Sequence, residues 1–341
     1  MLIPFIIPFI IAMFLAINMG GSGTAAAFSA AYGADVIKKS LIPGLFGIMV
    51  FLGAIIGGEE TAKTVGRGIL EPDKMTYVIV SIILLSVAFS LFFANLLGVP
   101  QSTSQAAVLA VSAPAIYLGA FNSDTLYSTI IPAWIITPIA AFMFAFLIGK
   151  YIYKPIRKTG ITISKQLNES YILKGIILIM ALYNSFAIGA NNVANATGPI
   201  TTMAANELNV ADTHMVHIMI LATLIIAPSF GIGSSLFGHK IVNNTGKEIV
   251  LFGKIEAAII TFLSASILLS SSYLGIPVAD VQITVGAILG IGVAKMGFVN
   301  IFKKSQVTRV FAVWFIAPAF AFGLSFLLTY LADTGGFLLY R

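Results

Sequence analysis

Charged residues, cysteine and histidine are scarce in this chain of 341 residues. Only 9% of its residues are charged, whereas a soluble globular protein carries about 25%. Cysteine is absent, which excludes a disulfide framework and a thiolate metal site. The three histidines are scattered without the spacing of a zinc site, and no nucleophile lies beside a general base. These absences argue against a soluble domain, a zinc protein and an enzyme.

Long apolar runs dominate the chain, with 58% hydrophobic residues and a mean hydropathy of +0.99. Each run is long enough to cross a hydrocarbon core of about 30 Å, so the sequence predicts an all-α polytopic membrane protein. The first run, LIPFIIPFIIAMFLAI, has no basic segment before it, and we interpret it as a retained helix. Ten spans are predicted, near residues 2–19, 41–57, 75–97, 102–120, 127–149, 172–190, 214–235, 249–272, 278–295 and 308–331.

The one clearly polar interior stretch, residues 150–171, is rich in lysine and arginine. Basic loops mark the cytoplasmic side, so this stretch is predicted to be a cytoplasmic linker between two halves, residues 1–149 and 172–341. Five spans in each half then place both termini outside the cytoplasm, in a cell membrane. This count would fail if a hairpin re-entered the membrane instead of crossing it. The loops that agree are Lys38–Lys39, Lys240 with Lys247, and Lys295 through Arg309, whereas 58–74, of mixed charge, falls outside.

The two halves share three patterns in the same order, which indicates an internal duplication. Five spans per half is an odd number, so the second copy must run through the membrane upside down. Such inverted repeats are typical of secondary transporters, whose substrate binds near the midplane between broken helices. The matched patterns are Leu97–Pro100 then Gln105 with Leu274–Pro277 then Gln282; Gly58 then Gly66-Arg67 with Gly238 then Gly246-Lys247; and Gly20–Gly23 with Gly189–Asn192.

Two kinds of polar cassette interrupt the apolar runs. The first kind surrounds Gly20–Gly23 and Gly189–Asn192, with 24–34 and 193–206 as the expected second halves of broken helices. Freed backbone N–H groups there need a partner, and an anion at a helix N-terminus can satisfy them. The second kind follows each Leu-Gly-x-Pro turn. Tight helix packing and plain N-capping are the structural alternatives for these residues.

Two carboxylates lie inside predicted membrane segments. Asp280 lies within a predicted hairpin, where a charge is costly and is by default functional. We expect it to carry a coupling proton. Glu256, beside Lys254, is either functional or part of an interfacial ion pair.

The stretch Gly189–Ala196 reads GANNVANA and resembles the GANDVANA signature of the inorganic phosphate transporter (PiT) family. The segment Pro100–Ser104 resembles the second motif of that family, and the likeness extends over nearly the whole chain. The resemblance implies an all-helical fold with two inverted repeats, a transport site near the pseudo-twofold axis and a homodimer.

The chain departs from this family pattern where the signature has aspartate. Asn192 stands at that position in the second half and Gly23 in the first. The resemblance implies that the aspartate helps to hold sodium, so sodium coupling is in doubt here. Sulfate, unlike hydrogen phosphate, has no proton for a carboxylate to accept, so a site of neutral donors favours sulfate. The stretch AINMGGSGTAAAFSAAYG also resembles the CysP-type sulfate permeases, a branch of the family.

The sequence therefore predicts a permease for sulfate or a related tetrahedral oxyanion, embedded in membrane lipid and coupled to protons. Sodium-coupled phosphate symport is the alternative, and a channel is a third possibility. No cofactor, metal or nucleic acid is expected. The predicted substrate-binding residues are Asn18, Gly21, Ser22, Gly23, Thr24, Ser102, Thr103, Ser104, Gln105, Asn191, Asn192, Asn195, Gln282 and Thr284, with Asp280 for proton coupling.

Overall fold

The structure is a computed structural model that describes residues 3–33, 36–97, 101–153, 170–211, 214–249, 253–303 and 305–338. Within these ranges the chain is all-helical, and no strand is formed beyond one isolated bridge. The first half contains α1 (Ile3–Gly33), α2 (Ile42–Gly57), α3 (Glu59–Arg67), α4 (Tyr77–Leu97), α5 (Thr103–Tyr117) and α6 (Ile131–Leu147).

The second half repeats this succession of helices. It contains α7 (Tyr171–Asn192), α8 (Ala194–Leu208), α9 (Met215–Ile226), α10 (Pro228–Ile249), α11 (Lys254–Tyr273), α12 (Asp280–Met296), the short α13 (Phe298–Phe302) and α14 (Ser305–Thr334). Most of the predicted linker, residues 154–169, lies outside the described residues, as do the turn residues 98–100.

Eight helical stretches in the described part of the chain are long and apolar enough to cross a membrane, which corrects the predicted ten. The two predicted spans that do not qualify are 102–120 and 278–295. Their helices, α5 and α12, have 15 and 17 residues. At 1.5 Å per residue they reach about 23–26 Å, which is short of a full crossing. Both are nevertheless almost wholly buried in protein.

Each short helix forms a hairpin with the helix before it. We call α4 with α5 hairpin 1 and α11 with α12 hairpin 2. Near the open end of hairpin 1, the N–H of Glu71 donates to the carbonyl of Ala120 at 3.2 Å. Lys295 and Glu256 are paired at 2.8 Å across the open end of hairpin 2. The two ends of each hairpin thus lie close together. If a hairpin re-enters the membrane and does not cross it, its two arms no longer count as spans, and three of the five predicted spans remain in each half.

Helix α1 is continuous through the glycine cassette, so the break predicted at Gly20–Gly23 is wrong. A hydroxyl of this segment bonds within the helix, because Thr24 Oγ1 donates to the Gly20 carbonyl at 2.6 Å. The second half does break, at Val193 between α7 and α8. Pro199 follows inside α8, and because proline has no N–H, the carbonyl of Asn195 receives no helical hydrogen bond.

Helices at equivalent positions pack reciprocally across the two halves. Helix α1 packs on α10 as α2 packs on α7, and α5 packs on α14 as α12 packs on α6. Glycines permit two of these crossings: a Cβ on Gly20 would lie 2.2 Å from the Phe230 carbonyl oxygen, and one on Gly189 would lie 2.1 Å from that of Val50. The inverted relation of the halves stays a prediction, and this exchange of partners supports it.

Candidate functional site at the hairpin tips

The first turns of α5 and α12 carry the polar residues of the two hairpins. Ser102 caps α5, because its hydroxyl accepts a hydrogen bond from the N–H of Gln105 at 3.2 Å. Ala279 precedes α12 and has no side chain that could cap it, whereas Asp280 occupies the first turn of that helix. Both helix N-termini direct their positive dipole ends toward the hairpin tips.

A buried hydrogen-bonded cluster joins hairpin 1 to the break between α7 and α8. Ser104 Oγ donates to Asn191 Oδ1 at 3.3 Å, and Asn195 Nδ2 donates to Ser104 Oγ at 3.1 Å. Asn191 also reaches hairpin 2, since its Nδ2 donates to Ser272 Oγ at 3.0 Å and to the Ile276 carbonyl at 3.1 Å. The amide of Asn191 therefore connects both hairpins.

Asn192 and Asp280 form a second contact at this place. The side chain of Asn192 and the backbone N–H of Val281 both lie beside the Asp280 carboxyl group. Asp280 is only 4% exposed. A carboxyl group thus lies directly against the asparagine that occupies the family's aspartate position.

Several buried polar atoms around the hairpin tips have no hydrogen-bond partner among the described residues. An unsatisfied buried polar group costs about 1–3 kcal/mol, so this concentration points to a ligand-binding region. Two of the groups are hydroxyls, which donate or accept, and three are oxygens that only accept unless protonated. The atoms are Thr103 Oγ1, Thr284 Oγ1, Asn192 Oδ1, Asn195 Oδ1 and Asp280 Oδ2.

The predicted residues on α1 are less clearly part of this region. Ser22 and Thr24 are buried, but their hydroxyls donate to backbone carbonyls of α1 itself. A Cβ on Gly21 would lie 2.6 Å from the Phe237 side chain, and one on Gly23 would lie 3.1 Å from Phe46. The glycines of this cassette thus face apolar packing, and their role in binding stays a prediction.

Asn18 belongs to a separate buried contact, in which Asn95 Nδ2 donates to the Asn18 carbonyl at 2.9 Å. The sequence reasoning overlooked Asn95 and Ser272. Both stand two residues before the leucine of a Leu-Gly-x-Pro turn, so the repeat alignment contained the signal that would have found them. It also overlooked Trp134, whose indole N–H donates to the Pro277 carbonyl at 2.9 Å and steadies the tip of hairpin 2.

Glu256 is buried and is paired with Lys295 of α12 at 2.8 Å. The ion-pair interpretation of Glu256 is therefore confirmed, and the partner that the structure shows is Lys295. Because removal of one partner from a buried pair is costly, this contact fixes the open end of hairpin 2.

A cavity of about 380 Å³ lies between α3, α8 and α9. Lys63 and Arg67 of α3 line one wall, while Thr201 and Thr202 of α8 line another. Lys63 is held by Glu59 and Glu60 in ion pairs of 2.8 Å. Gly198, Thr201 and Thr202 of this wall lie one to two turns after Asn195 along α8. In the described residues no three His, Asp or Glu side chains converge on a metal-binding position.

Comparisons with known proteins agree along almost the whole chain. The model of the phosphate transporter family matches residues 19–325. The sulfate permease CysP of Bacillus subtilis (strain 168) is 36% identical over 317 residues, which cover 92% of this chain and 84% of that protein. A putative phosphate permease of Pyrococcus horikoshii is 25% identical, covering 87% of this chain and 90% of its own.

The fold also matches a solved structure described as the sodium-dependent phosphate transporter. The TM-score is 0.80, and the match covers 97% of this chain and 99% of that chain. At 20% identity the match shows the fold alone. The all-helical membrane fold and the family resemblance predicted from the sequence are confirmed. The chain belongs to the phosphate transporter family, and it is an inorganic-anion permease of that family.

Proposed function

We propose that the protein takes up sulfate across the plasma membrane by symport with protons. The sulfate permease at 36% identity supports the choice of sulfate. The neutral hydroxyl and amide groups at the hairpin tips support it as well, because they donate hydrogen bonds to an anion that has no proton to give. We keep the homodimer as part of the proposal, and it rests on the family resemblance.

The contact between Asn192 and Asp280 carries the proposal of proton coupling. The family signature has a carboxyl group at position 192, where this chain has Asn192. Asp280 supplies a carboxyl group that lies beside Asn192. A sulfate dianion beside an ionised carboxylate would be repelled. Sulfate therefore binds best when Asp280 is protonated, and by linkage sulfate favours that proton in return. The two are loaded together, which is symport.

The unsatisfied oxygens at the tips suit a cation or a hydrogen-bond donor in the transport cycle. Asn192 Oδ1, Asn195 Oδ1 and Asp280 Oδ2 accept hydrogen bonds, so an anion alone leaves them unsatisfied. A proton on Asp280 changes Oδ2 into a donor. Sodium is the other solution, since it binds oxygen ligands of this type. Sodium-coupled phosphate uptake is therefore the second candidate, supported also by the phosphate permeases among the relatives.

Uptake by purified protein in proteoliposomes tests these two candidates. We expect labelled sulfate to accumulate when the outer solution is more acidic than the lumen, with no need for sodium. Excess unlabelled sulfate should compete better than phosphate, and preloaded sulfate should accelerate exchange, which a channel would not do. Phosphate uptake that requires sodium and ignores sulfate would overturn the proposal.

The variant Asp280→Asn tests the proton coupling, because it keeps the size and hydrogen-bonding capacity of the side chain while it abolishes ionisation. Net uptake driven by a pH gradient is expected to fall at least about tenfold, with the response to pH lost. Asp124→Asn, an exposed carboxylate that accepts only from Ser128, is the matched control and should transport normally. An unchanged pH response in Asp280→Asn would exclude this residue from coupling.

A further inference from the structure

A pair of glutamines joins the two hairpins directly. Gln105 Nε2 donates to Gln282 Oε1 at 3.2 Å, and Gln282 Nε2 donates to Gln105 Oε1 at 2.7 Å. Both side chains are buried. Each glutamine stands five residues after the proline of its Leu-Gly-x-Pro turn, so the bonds connect equivalent positions of the two halves. A reciprocal contact between equivalent residues is what a pseudo-twofold axis between the hairpins would produce.

We propose that the Gln105–Gln282 pair is a clasp that closes the hairpins on each other and must open in every transport cycle. Two polar neighbours, Thr103 Oγ1 and Thr284 Oγ1, have no partner in the described residues, whereas both heteroatoms of both glutamine side chains are paired. The glutamines therefore satisfy each other, whereas the hydroxyls two residues away along each helix stay without a partner.

An anion competes with the clasp for the same donors. Each Nε2 has two N–H groups, and only one of them is needed for the pair. An arriving oxyanion is first held by the second N–H group at the edge of the clasp. The oxyanion accepts hydrogen bonds and donates none. Full binding of the oxyanion therefore takes both N–H groups of each glutamine and leaves the two Oε1 atoms without a donor. The closed clasp and the fully held anion are therefore alternatives.

The position of the clasp explains why its opening is needed. Transporters with two repeats alternate access by moving one group of helices against the other around the substrate site. Hairpin 1 belongs to one half and packs on α14 of the other, while hairpin 2 packs on α6. The clasp bridges these two groups at the tips, and neutral amide hydrogen bonds are weak enough to be exchanged. The inference rests on the proposed oxyanion transport, whichever oxyanion is carried.

A reversible cross-link tests the clasp, and the absence of cysteine from the chain makes the test clean. The double variant Gln105→Cys/Gln282→Cys is joined in proteoliposomes with a short bis-methanethiosulfonate reagent. Uptake of the anion that the wild-type protein carries is expected to fall at least about tenfold on cross-linking. It should return when dithiothreitol releases the link. Undiminished uptake by verified cross-linked protein would overturn the clasp.

The single variants Gln105→Cys and Gln282→Cys, treated with the same reagent, are the controls. They carry the modification without the bridge, so the reagent should lower their uptake, relative to the same variant left untreated, far less than it lowers that of the double variant. An equal loss in a single variant would assign the effect to the bulk of the reagent and count against the clasp. This test follows transport of either sulfate or phosphate, so an incorrect choice of substrate would not affect its outcome.

Amide hydrogen exchange tests the clasp without any transport. In Gln105→Leu/Gln282→Leu the pair cannot form, and exchange should accelerate at least about tenfold in residues 103–106 and 281–284. The crossing of α1 with α10, far along the chain from the clasp, should be unchanged. Unaltered exchange at both hairpin tips would contradict the inference even if no anion were transported at all.

Discussion

At the scale of single residues, the hydroxyl of Ser104 has the most consequential position in the candidate site. It donates to Asn191 and accepts from Asn195, so one atom aligns two amides that the break in the second half presents. Its removal leaves two buried amide atoms, Asn191 Oδ1 and Asn195 Nδ2, without the partner that the structure gives them. Each unsatisfied group costs about 1–3 kcal/mol, whereas about 1.4 kcal/mol corresponds to a tenfold change in rate. The cost of removing the Ser104 hydroxyl is therefore large on this scale.

We predict that Ser104→Ala lowers the initial rate of anion uptake at least about tenfold without a loss of protein from the membrane. Ser112→Ala is the matched control, because Ser112 lies on the same helix and its buried hydroxyl donates only to the Val108 carbonyl. Uptake rates per amount of protein check the pair. Normal uptake by Ser104→Ala would mean that the cluster serves only to pack the helices.

The sequence predicted which residue types form the site, but not which of them meet. The amides near 191–195 and the hydroxyls near 102–104 were evident, because polar groups are rare in membrane segments. The contact of Asn192 with Asp280 depends on tertiary packing and leaves no trace in local spacing. Nor does the sequence show whether a hydroxyl such as that of Thr24 faces a site or bonds to its own helix.

At the scale of helices, glycine had two meanings that the sequence could not separate. Gly20 and Gly189 were predicted to interrupt their helices, whereas in the structure both lie inside helices that cross another backbone closely. Small residues permit such crossings in membranes, where close packing replaces the hydrophobic effect between helices. The matched glycines therefore mark a close helix crossing in each half. In the described residues the helix is interrupted only in the second half, at Val193.

Substitution of crossing glycines should lower stability, with non-crossing glycines as controls. A Cβ on Gly189 would lie 2.1 Å from a backbone oxygen of α2, which cannot move away as a side chain could. We predict that Gly189→Ala destabilises the protein by roughly 1–3 kcal/mol, as overpacking does. Gly175→Ala lies on the same helix with nothing near its Cβ and should be neutral or slightly stabilising. Thermal unfolding in detergent compares the two.

At the scale of the whole molecule, ten spans were predicted, whereas eight stretches of the described chain qualify, four in each half. The odd number on which the inverted relation depends returns only when both arms of each hairpin are removed from the count, which leaves three crossings in each half. Apolar composition identified α5 and α12 as membrane segments because they are buried in protein on all sides, and burial in protein selects the same residues as lipid. The length of the continuous helical stretch separates the two cases, because the turn Lys39–Leu41 extends α2 to 19 residues while α5 and α12 have no such extension. Each hairpin begins and ends together, so removal of its two arms from the count leaves an odd number.

The basic loops predict the orientation of the molecule in the membrane, and one continuous stretch of chain is able to test that prediction. Lys39 precedes α2 and is predicted inside, whereas Lys63 lies on α3, is predicted outside and borders the cavity between α3, α8 and α9. Since the chain has no cysteine, single variants Lys39→Cys and Lys63→Cys report without background. A membrane-impermeant maleimide added to intact cells should label Lys63→Cys alone, and both after the membrane is opened. Because α2 joins the two positions through one crossing, labelling of Lys39→Cys alone in intact cells would mean that the orientation is opposite to the predicted one. Labelling of both positions in intact cells would mean that this stretch does not cross the membrane. The number of crossings in the first half would then no longer be odd.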